Sequence, residues 1–335
     1  MFSYLSRIVH LGMDAVMCSM MNTVQWRLKH HTVTSEHLEE YLSECEGHDY
    51  RSYYATPEEN RSLQPPDWQV VGNHLYWNSP LQGAHHENNS VRARLFNSKE
   101  GDGSPTMILL HALMSANDFG YRRIAGRLNR RGWNVIFPHL PYHYSRTPSG
   151  YANGSLTVTT DLIRNAEALR QSVIELRQLM AWARNRGSTR LAILGTSYGA
   201  WVAALTLPLE VTDFTILLQP VTDVSDAVFR NPASRTMSDL LRNNNIHPST
   251  ISRHAFLSSP SGIKPLTPVE RITVIGGKYD QLSPPESLRL LCDKWGGTRY
   301  LEVNQGHFGY SAMRCALTEA DLYIDHPPPN PVSFT

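Results

Sequence analysis

The chain has 335 residues, a formal net charge of +1, 41% apolar and 18% charged side chains. That length holds one large α/β domain or two small ones, with a substantial core in either case, and the composition excludes wholesale disorder. A charge so close to zero offers no field to gather nucleic acid, so no nucleic-acid partner is expected.

Four scattered cysteines, Cys18, Cys45, Cys292 and Cys315, show no C-x-x-C pair and no metal-like spacing. They read as small buried residues, and their number fits a reducing compartment, so a cytoplasmic protein is expected.

The N-terminal stretch is apolar but interrupted by Arg7, His10 and Asp14, too polar for a spanning helix. It has no clean h-region with a cleavage site. An amphipathic helix is expected, packed on its own domain or on a second subunit in preference to a membrane surface. Residues 32–70 form an irregular lead-in with one short helix near 35–44, closed by Pro65-Pro66. The chain ends in a loose Pro-rich tail, 326–335.

Between these the sequence alternates. Extended segments are expected at 74–77, 91–96, 107–110 and 135–137, with a helix over 121–131 ended by Gly132. The strongest helix is 161–186: Leu162, Ala166, Leu169, Val173, Leu176, Leu179 and Ala183 recur every three or four positions. Thr160 is its expected N-cap and Gly187 its stop. Strands follow at 190–194, 215–218, 272–275 and 300–303, and helices at 198–207, 285–295 and 311–324. Residues 221–266 form a long irregular insert. Short apolar strands separated by helices imply a doubly wound, mostly parallel sheet covered on both faces.

Gly195-Thr196-Ser197-Tyr198-Gly199 is a G-x-S-x-G motif with a strand leading directly in and a helix leading directly out. A strand that turns at once into a helix strains the residue at the bend and lifts its side chain clear of the sheet. Ser197 is therefore the candidate nucleophile. The N–H of Tyr198, at a helix N-terminus, is placed to face a developing oxyanion.

On this motif, with Pro141-Tyr142-His143 and the long helix, the chain resembles the α/β-hydrolase superfamily from about 73 to 325. More narrowly it is similar to a poorly characterised branch of predicted esterases. The resemblance divides the chain into an extension (1–72), a catalytic domain (73–325) with a cap-like insert (221–266), and the tail. It implies the order nucleophile, acid, histidine. The base is then His307, in the Gly-flanked loop after the last strand, and the acid Asp280, after the strand at 272–275. Asp223 or Asp226 is the alternative acid.

The resemblance also places the first oxyanion donor at the Leu113 N–H, in His111-Ala112-Leu113-Met114. Ala112 stands where the family has glycine, which leaves Met114 as a second candidate. His111, Met114, Tyr142 and His143 are expected to face the cleft. The implied reaction is acyl transfer to water through an acyl-enzyme, with a small-molecule ester as substrate and no metal or organic cofactor. The insert carries Phe229, Met237, Leu240, Leu241, Ile246, Phe256 and Leu257, which could cover an apolar group, and Arg230, Arg235, Arg242 and Arg253. A peptidase or acyltransferase with the same triad, and a non-catalytic interaction protein, are the alternative functions.

Overall fold

The carboxyl edge of a twisted sheet collects every loop the sequence marks as chemical. The computed structural model describes residues 2–56, 63 and 67–327, with side chains from residue 7 onward; Pro65-Pro66 and the tail from 328 lie outside the described residues. Nine strands are present among these: β1 (Gln69–Val71), β2 (His74–Asn78), β3 (Ser90–Phe96), β4 (Thr106–Leu110), β5 (Asn134–Pro138), β6 (Leu191–Thr196), β7 (Phe214–Leu218), β8 (Ile272–Gly277) and β9 (Arg299–Val303). Their order is β1-β2-β3-β5-β4-β6-β7-β8-β9. β1 to β3 are antiparallel, and β5 to β9 run parallel with β4 between β5 and β6.

Period-two alternation splits the core into two layers. Ile108 and Leu110 of β4 pack on one face, while Met107 and Leu109 pack on the other. The first face is covered by α6 (Leu162–Asn185), α7 (Tyr198–Thr206) and α12 (Pro285–Trp295), and the second by α5 (Phe119–Asn129) and α13 (Ser311–Asp325). The expected doubly wound sheet is what forms. β1 escaped the pattern because its three residues are exposed on a sheet edge, where nothing selects for alternation.

α6 departs from a simple amphipathic helix. Gln171, Ser172, Glu175, Arg177 and Gln178 are buried along with its apolar stripe. Residues of β2 and of the segments before and after it partner these polar groups: Asn88 Nδ2 donates to Gln171 Oε1 at 2.7 Å, Trp77 Nε1 to Gln178 Oε1 at 3.0 Å, and Arg177 Nη1 to Tyr54 O at 2.7 Å. Its N-cap is Asp161, which accepts from Arg164 N at 3.0 Å. Thr160, the expected cap, instead bonds Thr32 through its hydroxyl at 2.8 Å.

The N-terminal region is helical and docked. It contains α1 (Phe2–Arg27), α2 (Ser35–Glu46) and α3 (Tyr50–Tyr53), and α4 (His86–Asn89) follows β2. α1 lies on its own chain. Asn22 Nδ2 donates to Pro232 O at 2.9 Å and Gln25 Nε2 to Ala233 O at 3.1 Å. The same two side chains accept from Thr236 N and Met237 N, capping the next helix from outside.

The insert is not irregular. It folds into α8 (Val224–Phe229), α9 (Arg235–Asn243), α10 (Pro248–Ser252) and α11 (Ala255–Ser258). Helices this short carry too few turns to show a period, and their starts are set by local caps such as Asp223, which accepts from Asp226 N at 3.0 Å. Among the described residues no helix is long and apolar enough to cross a membrane.

Candidate active site

Ser197 sits at the tip of a turn between β6 and α7 with φ 51° and ψ −112°, a conformation that non-glycine residues rarely hold. Two glycines make the turn possible. A Cβ on Gly195 would lie 2.7 Å from Ala200 Cα, and one on Gly199 would lie 2.6 Å from the backbone of Leu110. Only bare Cα atoms allow α7 to approach β4 and β6 this closely.

The serine hydroxyl is 2.9 Å from His307 Nε2. His307 Nδ1 is 2.9 Å from Asp280 Oδ2. Asp280 is buried, and its other oxygen accepts from Leu282 N at 2.8 Å and Ser283 N at 2.9 Å. These amides hold the carboxylate plane, and an acceptor at Nδ1 leaves Nε2 free to take the serine proton. Burial pulls the His307 imidazole down, but the Asp280 charge and hydrogen bond, with the Asp14 charge behind them, outweigh it and raise its pKa above the ordinary value.

Neither alternative acid reaches this chain: Asp223 caps α8, and Asp226 pairs with Arg230 at 3.1 Å on the outside of the insert.

Two further residues enter the site that sequence reasoning missed. Gln219, at the end of β7 with φ 50°, donates from Nε2 to Asp280 Oδ2 at 2.5 Å and to Gly306 O at 3.0 Å. Asp14 of α1, fully buried, accepts from His307 N at 3.0 and 2.9 Å and from Phe308 N at 3.3 Å. The one sequence signal for Asp14 was that it is the lone acid in a largely apolar helix.

The loop after β4 does not require glycine at position 112. The left-handed residue there is Met114, at φ 52°, and Ala112 needs no positive φ. Met114 N already donates to His143 Nε2 at 3.3 Å, and Ala112 N to the Tyr121 hydroxyl at 3.1 Å. Leu113 N has no acceptor among the described residues, and Leu113 lines the cavity beside Ser197. Tyr198 N lies in the first turn of α7, where no intrahelical acceptor exists.

The expectation that His111, Met114, Tyr142 and His143 face the cleft is corrected: none of them lines that cavity. The two histidines brace backbone instead. His143 Nδ1 lies 2.8 Å from Pro141 O, which makes it the donor and Nε2 the acceptor for Met114 N. His111 repeats the pattern, with Nδ1 3.0 Å from Ala112 O and Nε2 accepting from Leu140 N at 3.1 Å. Burial holds both neutral, lowering His143 to about 4 and His111 well below its ordinary value. Tyr142, at φ 62°, lines a separate groove with His31 and His85.

Among the described residues six non-glycine positions have positive φ. Met114, Tyr142, Tyr144, Ser197 and Gln219 stand in the loops at the sheet's carboxyl edge, and only Asn245 lies elsewhere. Strain of about 1–3 kcal/mol per residue, concentrated this way, accompanies a pre-set site.

The cavity over Ser197 measures about 150 Å³. Val224, Ala227, Val228 and Met237 of the insert form one wall, Leu162 and Leu169 of α6 another, and Leu38 and Leu42 of α2 with Met21 of α1 complete it. Its described lining holds no Arg, Lys, Asp or Glu. Of the insert's predicted apolar residues only Met237 lines it; Leu241, Ile246 and Leu257 are core, Phe256 is exposed, and Phe229 and Leu240 are half-buried away from it. The arginines face outward, Arg253 pairing with Glu39 and Glu46. No group of three or more described His, Cys, Asp or Glu residues is arranged to hold a metal.

A parallel sheet with a strained serine between β6 and α7, and an acid and a histidine beyond β8 and β9 in that order, is the arrangement of one fold. The chain has the α/β-hydrolase fold. Residues 85–241 match the model of the family alpha/beta hydrolase domain containing 18, a stretch that includes Ser197 but ends before Asp280 and His307. The uncharacterized protein Rv2627c of Mycobacterium tuberculosis is 28% identical over 186 residues, covering 55% of this chain and 44% of that protein. The chain thus spans less than half of the curated relatives it matches.

Among solved structures, acetyl xylan esterase 1 from Thermoanaerobacterium superposes with TM-score 0.54 at 16% identity, over 82% of this chain and 93% of that one. The acylaminoacyl peptidase of Pyrococcus horikoshii superposes with TM-score 0.53 at 13% identity, over 81% and 44%. This chain shares the fold of both.

Proposed function

We propose that this chain of α/β-hydrolase fold is a serine hydrolase that cleaves a carboxylic ester bearing an apolar group. The observation that carries the proposal is the unbroken hydrogen-bonded line from Ser197 through His307 to Asp280, at 2.9 Å for each step, opening on an apolar cavity. His307 takes the Ser197 proton as the hydroxyl attacks the ester carbonyl. The N–H groups of Leu113 and Tyr198 receive the developing oxyanion, and the imidazolium then protonates the leaving alcohol. A water activated by the same imidazole releases the acid. No step requires a metal or an organic cofactor.

Esters are favoured over peptides because the described lining offers no charged pocket to fix a peptide side chain or terminus, while it can desolvate an alkyl chain. A non-catalytic role is disfavoured by the cost of keeping Ser197 strained. The test is a fluorophosphonate probe with wild type and Ser197→Ala, followed by p-nitrophenyl esters of graded chain length beside peptide amides. Labelling of wild type alone, with turnover of medium-chain esters, is expected. Equal labelling of both proteins would sink the nucleophile assignment, and turnover of amides alone would replace the esterase with a peptidase.

A further inference from the structure

α1 reaches the catalytic loop from the far end of the chain. Its only acidic residue, Asp14, is fully buried and 293 positions away from the backbone it binds. Both carboxylate oxygens accept from His307 N, and one also accepts from Phe308 N. The loop has been shaped around the carboxylate: a Cβ on Gly306 would lie 2.6 Å from Asp14 Oδ2.

The helix is not free to drift, because Asn22 and Gln25 tie its other end to the start of α9. Gln219 grips the opposite side of the same loop through Gly306 O. The base loop is therefore held by an anion on one side and an amide on the other.

We propose that Asp14 is a positioning residue for the reaction, and that α1 is an integral part of the active site because it delivers this carboxylate to the loop that carries His307. The proposal rests on the hydrolase function proposed above. Without Asp14 the two N–H groups lose their shared acceptor in a buried setting, and the loop must move to find another. The imidazole moves with it, and displacements of about 1 Å at a reacting group cost on the order of 100-fold in rate.

Ionised Asp14 is itself costly. Burial raises its pKa, against the pull of the His307 and Phe308 amides and the His307 charge and with a smaller push from Asp280. A carboxyl whose folded pKa lies above its unfolded value destabilises the fold increasingly as pH rises through that interval, and the penalty persists at neutral pH. The neutral isostere Asp14→Asn removes this penalty, so the fold is expected to survive the substitution. The titratable groups around the carboxylate are His307 and Asp280 in the site, His10 and Cys18 one turn away on α1, and Tyr279, which stacks on His10.

The experiment compares the full-length wild type with Asp14→Asn and Asp14→Ala. Hydrogen exchange is read at the amides of His307 and Phe308, and kcat, KM and the pH profile are measured on the best p-nitrophenyl ester. Exchange at those two amides should accelerate about 10-fold or more in Asp14→Ala, with the sheet amides unchanged, whereas Asp14→Asn retains an Oδ1 that can accept from both. In Asp14→Ala the turnover number should fall roughly 10- to 100-fold while KM stays within about twofold. The acid limb of kcat/KM should also move to lower pH in Asp14→Asn, because one of the charges that raise His307 has gone.

Unchanged exchange in Asp14→Ala overturns the proposal. So does accelerated exchange with kcat and the acid limb both unmoved, which reduces Asp14 to a structural contact. Should wild type neither react with the probe nor turn over any ester, the hydrolase function fails instead; exchange in the variants then still upholds or removes the hold of Asp14 on the loop.

Discussion

Gln219 Nε2 donates a 2.5 Å hydrogen bond to Asp280 Oδ2, the same oxygen that receives His307 Nδ1 at 2.9 Å. The amide thus competes for the lone pairs that orient the imidazole, and its second bond, to Gly306 O, keeps the two loops in register. The positive φ of Gln219 is what turns its side chain from the end of β7 into this gap. Replacing it by Leu should lower kcat roughly 10- to 100-fold with little change in KM. Steady-state kinetics on a p-nitrophenyl ester would decide this, and a change confined to KM would place Gln219 in binding instead.

Ser197→Ala should reduce kcat by at least ~1,000-fold, since loss of an attacking atom cannot be offset by binding. The backbone at this turn is held by Gly195 and Gly199 and not by the hydroxyl, so the thermal midpoint should stay within a few degrees. Circular dichroism melting beside ester turnover checks both statements.

The pH profile follows from the direction of the His307 shift. The base must be neutral to accept the serine proton, and its folded pKa lies above the ordinary ~6.5. The acid limb of kcat/KM is therefore expected above that value, with activity lost as pH falls through it. Buried, neutral His143, near 4, contributes nothing to this limb. A limb at or below ~6 would contradict the charge arrangement around His307.

Chain-length preference should track the cavity. Ala227 and Met237 both line it. Ala227→Phe is expected to shift the optimum toward shorter acyl chains, whereas Met237→Ala should admit longer ones, each added methylene being worth about 0.8 kcal/mol of burial. A panel of esters from acetate to decanoate measures the shift. An unchanged optimum in both variants would mean the ester's long group does not enter here.

Arg146 and Glu175 form a buried bidentate pair at 2.6 and 2.8 Å, and Arg146 also reaches Asn88 O and His139 O. Glu175→Ala leaves the guanidinium uncompensated and should cost about 3–5 kcal/mol. Urea denaturation would register it, and a loss below ~1 kcal/mol would show that water replaces the carboxylate.

The amino-acid order alone carried the sheet strands after β1, the helices that cover the sheet, and the stretch around Ser197. These are local: period-two and period-3.6 patterns and a glycine-framed turn are written within a dozen neighbours. Asp280 and His307 were legible through the superfamily order, and the fold brings them to the expected distance of one another.

What the pattern could not express was everything that depends on distant contact. The helical insert, the capping of α6 by Asp161, the bracing role of His111 and His143, and the entry of Gln219 and Asp14 were decided only on folding. A carboxylate in an apolar helix looks the same whether it will meet water or a backbone amide 293 positions away. Only the packed chain determines which, because burial of an ion is tolerated solely where partners converge on it.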